Sequence, residues 1–340
     1  MSPLLSTLRP DGSTRQVAPR RAFLKQSLAA AATLRATAGI SARLAGAAEP
    51  QSSSDTSTFK VVDSHQHLWD LNKFRLPWTA TSPALARDYT MRDYLAATAG
   101  IPIEKSIYLE VDVEPSQQQA EADYIAELCR RGTGPLAAAV ISGRPAADNF
   151  RDYIAGFKAH PYIRGLRQVL HVESTPQGYC LQKSFLAGIQ YLGELGLSYD
   201  ICMRAAELPD AARLIDECPG TSFILDHCGN ADLRVKDQAA WKRDIAAVAK
   251  RPSVVVKVSG IIARATPGKW TVDDLAGIVN HTLDVFGPDR VMFGGDWPVC
   301  TLGASYKQWF DALRKIVANR PESEQRRLFH DNAIRHYRLA

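Results

Sequence analysis

The stretch VVDSHQHLWD, residues 61–70, sets Asp63, His65 and His67 two residues apart straight after a β-branched run. On a strand alternate residues share a face, so these three side chains are expected to point together, away from Ser64 and Gln66. Two imidazoles on one face at a strand end can share one cation, as zinc sites require. Asp63, one pleat deeper, can orient a histidine from behind or cap a core hydrogen-bond network, and both readings stay open. Near the other end of the chain, FGGDWP (293–298) places Asp296 after two glycines, in a turn that lets backbone and carboxylate enter a pocket closely. Asp296 can ligate a metal or take a proton from water. RGLRQVLH (164–171) puts Arg167 and His171 at one parity and Arg164 out of phase with them. A guanidinium at Arg167 would bind a carboxylate or polarise a carbonyl oxygen. LDHCGN (225–230) offers His227 as a ligand or electrophile, with Gly229 and Asn230 shaping the loop. Glu110 is a further candidate ligand, although its segment IYLEVDVE is acidic throughout. Trp69, Trp78 and Trp297 offer rings that can stack on a substrate, as loop aromatics also do to cover a core.

These residues need elements to position them. Short β-rich runs recur at 59–65, 105–111, 135–142, 163–170, 197–203, 221–227, 253–260 and 290–296. Amphipathic helix patterns lie between most of them, such as SQQQAEADYIAELCRR, LPDAARLIDEC and TVDDLAGIVNHTLDVFG, and ASYKQWFDALRKIVAN follows the last. Eight near-continuous apolar strands alternating with helices predict an α/β fold, a (β/α)₈ barrel. A doubly wound open sheet is the competitor, but no Gly-rich phosphate loop follows the first strand. Barrel chemistry sits at the C-terminal strand ends. His65 and His67, Glu110, Arg167 and His171, His227, and Asp296 all fall there. Residues 68–104 are too long for a simple crossover and are expected to fold over the barrel mouth.

The chain has 340 residues and a formal charge of +5, which is unevenly spread. Residues 1–48 hold seven Lys or Arg and one acid, while the remainder carries 34 basic and 35 acidic side chains. The main body is thus near neutral, which removes the electrostatic argument for nucleic-acid binding. The basic leader, with Arg20 and Arg21 before Phe-Leu-Lys and an Ala-rich stretch, resembles a twin-arginine export signal. Pro19 and Arg35 depart from that pattern. The expected organisation is a signal peptide over 1–48, a Ser-rich tether over 49–58 and one barrel domain over 59–340. A periplasmic location follows, or a cytoplasmic one if the leader is not a signal, and no membrane segment remains after its removal. The six cysteines show neither CxxC spacing nor a dense framework, so buried free thiols are expected.

VVDSHQHLWD with FRLPW, then RGLRQVLH, ILDHCGN, VVVKVSG, FGGDWP and the terminal DNAIRHYRL occur in that order over residues 60–339. Together they resemble the amidohydrolase superfamily, and within it the amidohydrolase-2 branch of L-fuconolactonase-like and 2-pyrone-4,6-dicarboxylate lactonase-like enzymes. The resemblance implies an amidohydrolase-type TIM barrel in which His65, His67, His227 and Asp296 surround a scissile carbonyl. Many superfamily members carry a further metal histidine at strand five, where SYDICMR has Asp200. A binuclear centre is therefore not expected. The cofactor is one divalent metal, zinc, or none, with His65, His67, Glu110 and Asp296 as candidate ligands.

The resulting expectation is a hydrolase that opens a small sugar-acid or carboxylated lactone. Asp296 activates water, and His227, Arg167 or a bound cation stabilises the oxyanion. Trp69, Trp78, His171, Asn230 and Trp297 are the candidate substrate contacts. No G-x-S-x-G elbow is present to support a covalent intermediate. The rivals are a metal-dependent decarboxylase of the same branch and a non-catalytic exported ligand-binding barrel. The identity of the lactone and the oligomeric state are not legible.

Overall fold

The computed structural model describes residues 59–339, so the expected signal peptide and the tether lie outside the described residues. Eight strands run through the chain: β1 (Val61–Gln66), β2 (Ile103–Leu109), β3 (Leu136–Ser142), β4 (Ile163–Val169), β5 (Ser198–Cys202), β6 (Ser222–Leu225), β7 (Val254–Val258) and β8 (Val291–Phe293). They pair in chain order and all in parallel. Closure comes just past β8, where the Asp296 amide donates to His65 O (2.7 Å) and the His67 amide to Trp297 O (2.8 Å). The fold is the (β/α)₈ barrel. Each expected strand is present, but several stop short of their polar ends. The ladder ends at Leu109, Val169, Leu225 and Phe293, and the chain beyond turns into loops that carry Glu110, His171, His227 and Asp296.

One local expectation is corrected. The β1–β2 register shifts between Asp63 and Gln66, which breaks the simple alternation of β1. Asp63 faces the helical layer and accepts from the hydroxyls of Tyr94 and Tyr306. His65 and His67 turn into the barrel instead.

The expected helices appear over Gln118–Arg131, Lys183–Glu194, Leu208–Glu217, Ala239–Ala249, Val272–Phe286 and Tyr306–Val317. Thr271 with Asp274, and Ser305 with Gln308, form capping boxes that fix where the last two begin. Two short helices, Met91–Ala97 and Phe150–Ala155, complete the layer. Residues 68–85 form loops and two 3₁₀ turns that reach over the mouth. No helix among the described residues is long and apolar enough to cross a membrane.

The opposite end of the barrel is stopped by the C-terminal segment. Ala333, Tyr337 and Leu339 pack against the inward residues Val62, Ile107, Val140, Ile224, Val255 and Met292. Asn332 donates to Pro288 O and Val291 O, and Arg164 to Tyr337 O, so the plug is tied to the strands by hydrogen bonds as well as by burial. This gives the terminal DNAIRHYRL run its structural task and accounts for Arg164 standing out of phase with Arg167.

Candidate active site

A cavity of about 310 Å³ opens at the C-terminal ends of the strands, lined among others by His67, Trp69, Trp78, Glu110, Arg167, His171, His227 and Asp296. Six strand ends and the 68–85 loops thus bring most of the sequence-predicted residues to one place. His65 lies fully buried beneath the cavity, and Asn230 and Trp297 stand apart from it. The Asn230 side chain donates to Met203 O and holds its turn. Trp297 is buried against Tyr89 and Tyr94. Neither lines the cavity, because the turns that aim their neighbours His227 and Asp296 inward direct these two side chains into the surrounding structure.

Those turns are strained where the chemistry lies. His227, Cys228 and Asn230 have φ of 56°, 52° and 57°, and Asp296 has 53°, all in the left-handed region that non-glycine residues seldom occupy. The glycines around them are required by close approach. A Cβ on Gly260 would stand 2.3 Å from His227 Nδ1, and one on Gly294 would stand 2.7 Å from His65 Cβ.

At the floor, His67 uses Nδ1 to donate to Leu109 O at 2.8 Å, which turns Nε2 toward Asp296 Oδ1 at 3.3 Å. His65 Nε2 lies 3.6 Å from the same oxygen. On its other edge His65 Nδ1 faces Asp226 Oδ1 at 3.4 Å, the carboxylate–imidazole pairing that commonly orients a metal-bound histidine. Burial holds His65 well below the usual imidazole range, and Lys257 and His227 add to the effect against the pull of Asp226. The ring is therefore neutral. Ligand atoms of His65, His67 and Asp296 all lie within 4.8 Å of one another. In neutral tautomers no imidazole hydrogen stands between His67 and the Asp296 carboxylate. Two lone pairs and a carboxylate oxygen converging in this way are a donor set suited to one divalent cation.

Glu110 does not join that set. Its Oε1 accepts from Arg167 Nε at 2.7 Å and its Oε2 from the Asp112 amide at 2.7 Å. Arg167 is correspondingly committed: Nη2 donates to Glu110 O at 2.7 Å, and Nη1 lies 3.2 Å from Asp226 Oδ2 and 3.3 Å from His65 Nε2. One ion pair engages both residues. Glu110 anchors Arg167, and Arg167 spans β2, β4, β6 and the first-strand histidine instead of reaching freely toward a ligand. His227, by contrast, sets Nδ1 2.9 Å from Ser259 Oγ and borders the cavity, with burial keeping it below the usual range. His171 lies with Nδ1 3.3 Å from Cys202 Sγ. Burial, with His227 and Arg167 nearby, pushes it down to about 4.

Trp69 and Trp78 line the cavity and are fixed by their indole N–H groups, which donate to Arg87 O (2.6 Å) and Val111 O (2.7 Å). They pack edge to face at 5.5 Å between centroids. All six cysteines are buried and free, as expected.

Sequence reasoning missed the charges beneath the floor. Lys257 of β7 and Asp200 of β5 are fully buried and 2.6 Å apart, and Lys257 also lies 3.1 Å from Asp226. Burial alone would raise Asp226, but Lys257 and His65 hold its carboxyl well below the usual range. The signal available was the lysine itself, because a charge inside VVVKV must find partners in the barrel interior.

Comparisons with known proteins agree with the fold. The chain is 28% identical to an L-fucono-1,5-lactonase of Burkholderia multivorans, over 82% of this chain and 96% of that protein. It is 21% identical to an L-rhamnono-gamma-lactonase of Scheffersomyces stipitis, over 83% of this chain and all of that one. A crystal structure of an amidohydrolase from Burkholderia multivorans with bound zinc superposes with a TM-score of 0.74 at 27% identity, covering 83% of this chain and 100% of that chain. The family model described as amidohydrolase matches residues 62–339. With nearly the whole barrel inside that match, the chain belongs to the amidohydrolase family.

Proposed function

We infer that this protein hydrolyses a small, neutral sugar-acid lactone. The observation that carries the reading is the convergence of Asp296 Oδ1 with the Nε2 atoms of His67 and His65, at 3.3 and 3.6 Å, on the floor of a cavity walled by two tryptophans. Asp296 takes a proton from water, and the water attacks the ring carbonyl. With Ser259 Oγ–H donating to Nδ1, His227 presents Nε2–H to the developing oxyanion. Asp296 then returns the proton to the leaving alkoxide, and the ring opens to a hydroxy acid. His65, His67 and Asp296 would hold one divalent cation, zinc, which as a Lewis acid polarises the carbonyl and is worth several kcal/mol to the transition state.

Charge narrows the substrate. Among the described residues lining the cavity, Arg167 is the sole Lys or Arg, and it is bound to Glu110 and Asp226. Asp112 at the wall is matched by Arg144 at 2.9 Å. His171 is neutral at working pH. The cavity thus offers no uncommitted cationic side chain for a substrate carboxylate, which favours a neutral hydroxylated lactone over a carboxylated one and over a substrate for decarboxylation.

Acid release followed with a pH indicator tests the reading. Neutral six-carbon aldonolactones are expected to be turned over at least tenfold faster, by kcat/KM, than pyrone dicarboxylate. Preference for the dicarboxylate, or release of CO₂ from an aromatic carboxylate with no lactone hydrolysis, would overturn it.

A further inference from the structure

Lys257 takes no part in the chemistry above, yet a fully buried ammonium is retained only where carboxylates repay its desolvation. Its Nζ donates to Asp200 Oδ2 at 2.6 Å and lies 3.1 Å from Asp226 Oδ1 and 3.4 Å from His65 Nδ1. Tyr337, from the C-terminal plug, adds a hydroxyl at 3.1 Å to the same Asp200 oxygen. Two buried carboxylates converging on one point are the kind of group that gathers a divalent cation. Moreover, His65, Asp226 and His227 form a second group whose ligand atoms lie within 4.8 Å of one another, sharing only His65 with the first group. The barrel floor therefore holds the makings of two adjacent cation sites. An ammonium stands against two of the three members of the deeper one.

We propose that Lys257 is a positioning residue that serves as a built-in second cation. Its ammonium fills the anionic hollow between Asp200 and Asp226, beside His65, and repels a second divalent ion from Asp226 and His227. The charge that a second metal would bring is supplied by a side chain from β7. This rests on the reading of His65, His67 and Asp296 as a one-cation site.

The test is the zinc content per chain of purified, folded protein loaded with Zn²⁺ and freed of excess. The parent is expected to hold one ion and Lys257→Met two, with Lys257→Arg restoring one. Because Lys257→Met strands two buried carboxylates and can fail to fold, Lys257→Met combined with Asp200→Asn removes the pair together while keeping Asp226, His65 and His227. This double variant is also expected to gain an ion. A parent and folded variants that all hold one ion would overturn the role of Lys257 and leave the one-cation reading standing. A parent that holds none overturns that reading, and the role of Lys257 then stands if the variants gain an ion and falls if they do not.

Discussion

Asp63 and Asp296 are buried aspartates on either side of the β1–β8 seam, and their surroundings are opposite. Asp63 is saturated with donors. Its Oδ1 accepts from the amides of Gly295 (2.7 Å) and His65 (3.0 Å), and its Oδ2 from the hydroxyls of Tyr94 and Tyr306 (2.9 Å each). Asp296 Oδ1 instead faces the Nε2 atoms of two histidines and opens on the cavity. A carboxylate with every lone pair satisfied fixes the seam. One set among acceptors is completed by a cation or a proton, and that is the one able to do chemistry. Even with four donors, burial leaves Asp63 raised above the ordinary carboxylate value, which marks how far the seam is removed from water.

The comparison can be broken most severely on the open side. Replacing His65 and His67 together by Ala should abolish metal binding. Turnover should fall by about 10³ or more, since a Lewis acid supplies several kcal/mol and each 1.36 kcal/mol is tenfold in rate. Zinc analysis alongside lactone kinetics checks this, and a double variant that keeps either its ion or its rate would remove the histidines from the site.

On the closed side, Asp63→Asn should cost about 1–3 kcal/mol of stability, the usual range for leaving buried hydrogen-bonding groups unsatisfied. Because the loss falls on the seam, kcat of the folded fraction should stay within a few-fold of the parent. Urea unfolding with kinetics on the same preparation reads both quantities.

A milder effect is expected behind the wall. Glu121 is fully buried and accepts from Tyr108 Oη and the Val111 amide through Oε1. Burial, with Glu110 nearby, pushes its carboxyl up from 4.5 to about 8. Between those values the native state binds a proton that the unfolded chain has lost, so parent stability falls as pH rises from about 4.5 to 8 and levels above that. Glu121→Gln removes the titration. Relative to the parent it should gain stability between pH 5 and 9, by on the order of a few kcal/mol at most. An unchanged difference across that range would place Glu121 outside the pH response.

The strands were legible because parallel barrel strands are buried on both faces and read as apolar runs. The site was legible because polar residues interrupt those runs only at their C-terminal ends. The same double burial hid Lys257. With both faces apolar, VVVKV gives no period to say which way the lysine points, and its partners come from β5 and β6. Asp63 was misplaced because a register shift within β1 overrides the two-residue period, and a sequence carries no mark of it. Glu110 and Arg167 were each seen, but not their pairing across 57 positions of chain. Side-chain direction in the turns after β6 and β8 depends on left-handed residues, so Asn230 and Trp297 could not be told apart from His227 and Asp296 as cavity residues.

Asp296 is the open partner of this pair. Asp296→Asn preserves the shape of the FGGDWP turn while removing the base. The measurement is its steady-state turnover of a neutral sugar lactone, taken with its unfolding midpoint beside that of Asp63→Asn. The expected result is a kcat lower by roughly 10² or more, the scale of general-base catalysis, with KM changed far less and stability near that of the parent. A folded Asn variant hydrolysing its lactone within a few-fold of the parent would contradict the account and show Asp296 to be, like Asp63, a structural carboxylate.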